Sequence, residues 1–155
     1  MIEIVETVRY DQQATVVFAV LTDFAGYPAW QDAVESASLV DGPLRVGAHV
    51  REIRREFGWR GQVDVTVAEF VPGELLTLAT AETVNPSVHQ SYRLAGEPNG
   101  CQLRYSLALG GIPRLFEPVV RPQLQGKVRR MLRRLSEQAV TASAKAAASA
   151  APRNR

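Results

Sequence analysis

Two histidines, His49 and His89, are the only ordinary candidates for proton transfer near neutral pH, and Cys101 is the only thiol. Neither histidine stands at a recognisable catalytic spacing. Together with Cys101 they lack the close pairs of ligands that zinc sites show. No basic residue adjoins Cys101 in the sequence to activate it as a nucleophile. The sequence therefore predicts no catalytic residue and no metal.

The motifs of the common cofactor and nucleophile sites are missing from the chain. There is no Gly-x-Ser-x-Gly elbow, which would present a nucleophilic serine. Gly110-Gly111 lacks the following Lys-Ser/Thr of a phosphate loop, and it is better explained as the point where the chain leaves a sheet. We predict no cofactor.

Arg51 and Arg55 would be able to meet a carboxylate, enolate or phosphate of a ligand if they faced a cavity. Which side chains of their strand face inward is ambiguous, because its apolar residues favour two opposite alternations. A bulge between them would allow both. The first alternation rests on Ala48 and Val50, and the second on Ile53, Phe57 and Trp59. The other interpretation places both arginines outside, paired with Glu52, Glu56 or neighbours across the strand, and we prefer it.

The chain has the size of one domain, with 155 residues and 17.0 kDa. A single cysteine excludes an intrachain disulfide. The first residues carry acids where a signal peptide has Lys or Arg, and the longest apolar run, Val16–Leu21, is too short to span a bilayer. We expect a cytoplasmic protein that is a monomer or a homodimer.

The order of elements follows from changes in periodicity. Ile2–Tyr10 is predicted to be a strand, Gln13–Leu21 a short helix, and Pro28 to about Val34 a second short helix. Turn signals then recur about every 11 to 15 residues, which is typical of an antiparallel meander of about six strands. A long helix follows, starting or kinking before about Pro122. The predicted class is α+β, with a curved sheet of about seven strands around that helix.

The long helix has two faces. Leu124, Val128 and Met131 lie on its apolar face. The opposite face is basic and carries Lys127, Arg129, Arg130, Arg133 and Arg134. We expect this face to be solvated, to pair with the acidic half of a second subunit, or to make weak contact with an anionic membrane surface. Nucleic acid is not predicted as a partner, because no aromatic residues are interleaved for base stacking.

Strand alternation predicts which side chains face a cavity between the sheet and the long helix. The polar residues Gln90 and Thr80 fall in inward rows, and each needs a bond to a neighbour, to water or to a ligand. Tyrosine hydroxyls that reach solvent are the alternative. The predicted ligand-binding residues are Trp30, Val63, Val65, Val67, Leu78, Thr80, Gln90, Tyr92, Tyr105, Leu107, Leu124, Val128 and Met131. Trp30 belongs to an aromatic cluster for which we prefer core packing over a pocket entrance.

Several stretches resemble the START-like (SRPBCC) superfamily, in particular its polyketide cyclase/dehydrase and lipid-transport branch. They are Val17–Phe24 with Tyr27-Pro28-Ala29-Trp30, Gly42–Gly47, Val67–Gly73 and Tyr92–Leu94. The resemblance covers about residues 2–140. It implies a helix-grip fold with a deep, mostly apolar pocket, but no single chemistry. We therefore assign residues 1–141 to a START-like ligand-binding domain and residues 142–155 to an Ala-rich flexible tail.

Three functions are compatible with this interpretation. The first is binding, or transport, of a small hydrophobic molecule such as a lipid, isoprenoid, quinone or polyketide. The second is a polyketide aromatase/cyclase or dehydrase, in which His49 or His89 acts with Tyr92, Tyr105 or Arg51 as acid and base groups. The third is a small regulatory or interaction domain whose pocket is vestigial. We prefer non-catalytic binding.

Overall fold

The computed structural model describes residues 1–56 and 58–150, and it consists of one sheet, one short helix and one long helix. The helices are α1 (Ala14–Thr22), a 3-10 helix (Phe24–Ala29), a 3-10 turn (Arg114–Phe116) and α2 (Glu117–Ala150). The strands are β1 (Ile2–Tyr10), β2 (Val34–Leu39), β3 (His49–Glu56), β4 (Trp59–Val71), β5 (Leu75–Ala79), β6 (Ser87–Glu97) and β7 (Gly100–Gly110).

The seven strands form one antiparallel sheet in the order β1-β7-β6-β5-β4-β3-β2. The six strands after the helices pair in sequence as a meander, and β7 returns to pair with β1. With α2 beside the sheet, this is the helix-grip α+β fold that the sequence predicts. The register shifts between Val34 and Ser36 and between Val67 and Glu69, and such bulges bend a strand.

The inner face of the sheet carries the core. Ile2, Ile4 and Tyr10 of β1, and Leu103 and Tyr105 of β7, are buried beneath the helices. The buried residues of α2 are Val128, Leu132, Leu135 and Ala139. They recur every three to four residues, which is the spacing of one helix face.

The prediction of a second short helix from Pro28 to about Val34 is wrong. A 3-10 helix ends at Ala29 instead, and β2 already begins at Val34. Two bonds fix this shorter geometry: the Tyr27 hydroxyl donates to the backbone oxygen of Leu21 at 2.6 Å, and the Trp30 amide donates to the backbone oxygen of Tyr27 at 3.1 Å. The predicted first helix is displaced by only one residue.

Helix α2 starts before Pro122, as predicted, and continues past the predicted end of the domain. Pro118 is its second residue, where a backbone N–H would have no partner inside the helix. The predicted flexible tail, residues 142–155, is helical through Ala150 in the structure, and residues 151–155 lie outside the described residues. Alanine has the highest helix propensity, which accounts for this continuation.

The basic face of α2 is largely paired within the same chain. Lys127 lies 3.9 Å from Glu56, Arg129 lies 3.0 Å from Glu6, and Arg130 and Arg134 both pair with Asp32.

Among the described residues, no helix has the length and apolarity needed to cross a membrane.

Candidate functional site

A polar cluster lies on the inner face of the sheet, at the centre of β6 and β7. The Tyr105 hydroxyl donates to Oε1 of Gln90 at 3.1 Å, and the Tyr92 hydroxyl donates to the same oxygen at 3.4 Å. All three side chains are buried. The tyrosine hydroxyls therefore do not reach solvent, and Gln90 finds its partners among its neighbours.

A row of charged side chains leads from this interior towards α2. Glu52, Arg54 and Glu56 alternate along β3 and share the inner face. Glu52 is fully buried, whereas the side chains of Arg54 and Glu56 are 21% and 30% exposed. Arg54 Nη1 donates to Glu52 Oε2 at 2.8 Å, and its Nε lies 3.7 Å from Glu56 Oε2. We call Glu52, Arg54 and Glu56 the β3 charge row.

The charge of Arg54 is held in place by its two carboxylates. Burial lowers the pKa of Arg54, but Glu52 and Glu56 outweigh that effect, so its pKa lies above the usual value. The guanidinium is always ionised. The row thus carries two carboxylates and one cation on the inner face of the sheet.

Three buried polar atoms in this region have no hydrogen-bond partner in the protein. One is Oε1 of Glu52, an acceptor, and another is Nε1 of Trp30, a donor. A buried polar atom without a partner costs about 1–3 kcal/mol, so such atoms indicate a site for water or a ligand. Gln31 Nε2, beside Trp30 in sequence, is a second donor of this kind.

A row of aromatic rings runs from Trp30 into the interior. Trp30 contacts Tyr27 and Tyr92 edge to face, with ring centroids 4.9 and 6.2 Å apart, and Tyr92 in turn contacts Tyr105 at 4.9 Å. The charge of Glu52 contributes to the raised pKa values of Tyr27 and Tyr92, and so lies near the same rings. Trp30 is fully buried, so it packs in the core and does not line an open entrance.

The buried tyrosines are suited to donate hydrogen bonds, not to act as bases. Burial raises the pKa of Tyr92 well above its ordinary value, and burial raises the pKa of Tyr105 as well. A hydroxyl with a raised pKa stays protonated at neutral pH. Each would have to exchange its bond to Gln90 for one to a ligand in order to stabilise a carbonyl or an enolate oxygen, and neither can remove a proton.

The predicted ligand-binding residues divide by burial. Nine are buried in the core: Trp30, Val65, Val67, Leu78, Gln90, Tyr92, Tyr105, Leu107 and Val128. Val63, Leu124 and Met131 are partly buried and pack against it. Thr80 is also partly buried, but its hydroxyl accepts the Val88 amide at 2.9 Å and so serves the backbone of β6.

Sequence reasoning missed the β3 charge row. The predicted bulge within β3 is absent over His49–Glu56, where pairing with β4 is continuous, and Phe57 lies outside the described residues. The alternation that places Ala48 and Val50 on the inner face therefore continues through the β3 charge row. Continuing that alternation past Val50 would have found the charged residues, but charged side chains were expected outside.

Trp59 is a further inner-face residue that the prediction did not include. It shares the face of Val63 and is 53% exposed, with its ring over Gly61, where a Cβ atom would collide with the indole. Gly61 pairs with Arg54 and Trp59 pairs with Glu56. Trp59 thus lies at the exposed end of the charge row.

Arg51 and Arg55 point away from the interior, as in the preferred interpretation. Arg51 Nε lies 3.2 Å from Asp64, and Arg55 Nε lies 3.0 Å from Glu35. Their partners are neighbours on adjacent strands and not Glu52 or Glu56.

Both histidines lie on the outer face of the sheet. His49 accompanies Asp41 and Thr66 in a groove of about 390 Å³, and His89 lines another of about 230 Å³ over β1, β6 and β7. Neither histidine faces the tyrosines of the interior, so the predicted acid–base pairing of a histidine with Tyr92 or Tyr105 is not formed. His49 and Arg51, the other predicted pairing, do line the same groove on the outer face. Cys101 is buried, and burial raises the pKa of its thiol.

The described part of the chain brings together no group of three or more His, Cys, Asp or Glu side chains that would bind a metal ion. The interior therefore offers apolar walls, hydrogen-bond donors and one carboxylate oxygen. Apolar walls with a few polar groups are the composition of sites that orient a mainly apolar molecule.

Residues 1–140 match the model of a family described as polyketide cyclase/dehydrase and lipid transport. No curated protein sequence is significantly similar to the chain. A START superfamily protein from Mycobacterium smegmatis has the same fold, with a TM-score of 0.75 and 14% identity over 90% of this chain and 97% of that one.

Two further solved structures share the fold. A protein from Thermus thermophilus aligns with a TM-score of 0.73 and 16% identity, over 92% of this chain and 99% of that one. The di-domain ARO/CYC BexL from the BE-7585A biosynthetic pathway aligns with a TM-score of 0.69 and 14% identity, over 88% of this chain and 46% of that one. At these identities the likeness concerns the fold.

Proposed function

The chain belongs to the polyketide cyclase/dehydrase and lipid-transport family, and from that premise we propose that it binds a small, mainly apolar molecule between the sheet and α2. The supporting observation is the pair of buried, unpartnered polar atoms, Trp30 Nε1 and Glu52 Oε1, among apolar side chains. Apolar walls supply affinity at about 25 cal/mol per Å² of buried surface, and a few polar groups orient the ligand.

The ligand would enter beside the residues of the inner face that solvent still reaches. Val63 on β4 and Leu124 and Met131 on α2 are only partly buried, and Trp59 is half-exposed at the same end of the inner face as Glu56. Lys127 Nζ of α2 lies 3.9 Å from Glu56 Oε1, so α2 meets the hairpin of β3 and β4 at this point. The interior would open if these two elements separated here.

Native mass spectrometry of freshly purified protein, before and after organic extraction, tests the proposal directly. A bound apolar compound should add a discrete mass that extraction removes. Trp30 gives a second readout: in a Trp59→Phe variant it is the only indole, and decan-1-ol or decanoate should change its emission. Trp30→Phe, which leaves the exposed Trp59, is the matched control and should respond less. No co-purified compound and no response to either probe would refute binding.

Catalysis as a polyketide aromatase/cyclase or dehydrase is the second candidate, favoured by the protonated hydroxyls of Tyr92 and Tyr105 in the interior. These donors suit an enolate, as in an oxyanion hole. The histidines on the outer face leave the reaction without a neutral-pH base there. Incubation with a linear polyketide thioester, followed by mass spectrometry of the products, tests it: unchanged substrate leaves binding alone.

We also propose weak contact with an anionic membrane surface, through the start of α2. Leu115, Phe116 and Val119 are exposed apolar residues there, and we call them the α2 entry patch. Arg114 and Arg121 flank the patch, while Glu117 is matched by the N-terminal ammonium at 3.3 Å. Apolar side chains with flanking cations are the composition that binds an anionic bilayer surface.

A further inference from the structure

The unpartnered atoms Glu52 Oε1 and Trp30 Nε1 differ in kind, so each calls for a different polar group on a ligand. Glu52 Oε1 needs a hydrogen-bond donor, whereas Trp30 Nε1 needs an acceptor. A hydroxyl is both a donor and an acceptor. A carboxylate is an acceptor only, and an ammonium is a donor only.

The β3 charge row makes the interior unfavourable for an anion. Arg54 already faces Glu52 at 2.8 Å and Glu56 at 3.7 Å, so its one positive charge is shared between two carboxylates. A ligand carboxylate next to Glu52 would bring like charges together in a buried region, where water does not screen them. A hydroxyl adds no charge.

Building on the proposed function, we propose that the interior site is selective for ligands whose polar group is an alcohol or a phenol, and that Glu52 disfavours carboxylates. Glu52 is then the specificity-determining residue, accepting the hydroxyl proton at Oε1 while Arg54 holds Oε2.

Two probes of equal chain length test the selectivity: decan-1-ol and decanoate, titrated into the protein by calorimetry. We expect decan-1-ol to bind about tenfold more tightly, because the carboxylate of decanoate would lie beside that of Glu52 where water does not screen the two charges. A factor of ten corresponds to about 1.4 kcal/mol. Glu52→Gln removes the charge but keeps the shape, and it should shrink the preference to about threefold or less. Asp64→Asn is the matched control, because Asp64 pairs with Arg51 at 3.2 Å on the outer face of the neighbouring strand. It should keep the wild-type preference.

Each outcome decides one question. Equal or tighter binding of decanoate by the wild type, or an unchanged preference in Glu52→Gln, overturns the selectivity while binding itself stands. Binding of neither probe refutes the proposed function. If Glu52→Gln does not fold, 1-methoxynonane, a neutral ether of the same size as decan-1-ol, takes the place of the variant. It cannot donate to Glu52 Oε1, so it should bind the wild type several-fold more weakly than decan-1-ol. Equal affinity for the ether and the alcohol contradicts the proposed contact.

Discussion

The hydroxyl of Tyr10, at the end of the first strand, donates a 2.7 Å hydrogen bond to the backbone oxygen of Leu132 in the last helix. The bond is buried and joins residues 122 positions apart in the chain. It fixes α2 over β1 at the point where Arg129 also reaches Glu6. These two contacts join α2 to the sheet along β1, whereas Lys127 joins it to the β3 charge row at Glu56.

Tyr10→Phe should destabilise the protein by about 1 kcal/mol, because a buried hydrogen bond is lost while the ring remains. Chemical denaturation monitored by circular dichroism measures the change. Arg129→Gln is the comparison: its ion pair with Glu6 involves an arginine that is 66% exposed, so it should change stability by less. A Tyr10→Phe variant as stable as the wild type would show that the bond does not hold α2.

The strand pattern of the sequence predicts most of the fold for a simple physical reason. Val63, Val65 and Val67 alternate with polar residues, and only one register buries all three against a single core. The 3-10 helix was not predictable in the same way. Its end depends on the Tyr27 hydroxyl reaching the Leu21 carbonyl, a contact between side chain and backbone that periodicity does not report.

The candidate site is less predictable because it contradicts the usual pattern. Gln90, Tyr92 and Tyr105 could be placed by parity, since apolar neighbours share their rows. Glu52 and Arg54 could not, because a buried charge is favourable only when a partner is at hand, and the partner becomes visible only in three dimensions. The prediction therefore found the walls of the site and missed its charged residues.

Alkaline pH should unfold the protein through its tyrosines. All four, Tyr10, Tyr27, Tyr92 and Tyr105, are buried, and burial raises the pKa of each above the value near 10 of an unfolded chain. Keeping them neutral contributes stability that is fully present below about pH 10 and is lost as the pH rises further. The ultraviolet absorbance of tyrosinate should appear together with the loss of circular dichroism. Tyrosinate formation in a still-folded protein would contradict the burial.

Tyr105→Ala should enlarge the interior and weaken ligand binding. It removes a buried ring that contacts Tyr92 and the hydroxyl that donates to Gln90, so a loss of about 3–5 kcal/mol in stability is expected. Tyr105→Phe keeps the ring and should cost about 1 kcal/mol. Titration with decan-1-ol compares the two. Affinity unchanged in Tyr105→Ala, in protein shown to be folded, would place the ligand elsewhere.

Membrane contact is predicted to depend on the α2 entry patch more than on the basic face of α2. Four of the five basic residues on that face already pair with acids of the same chain, and a paired charge contributes little to lipid attraction. The α2 entry patch, in contrast, consists of exposed apolar side chains beside Arg114: Leu115, Phe116 and Val119. These side chains have no ion pair to give up before they contact a membrane. Inserted apolar side chains add to the attraction of about 1 kcal/mol per nearby basic residue.

The double variant Leu115→Ser and Phe116→Ser should therefore lose most of its sedimentation with liposomes that contain phosphatidylserine. Val140→Ser is the matched control, since Val140 is an exposed apolar residue in the C-terminal half of α2, away from the patch. Binding of the wild type should weaken on raising the salt concentration, because the arginine contribution is screened, while an apolar remainder persists. Equal sedimentation of the patch variant and the wild type at both salt concentrations would exclude the patch as the docking site. Absence of binding by the wild type at low salt would exclude membrane contact altogether.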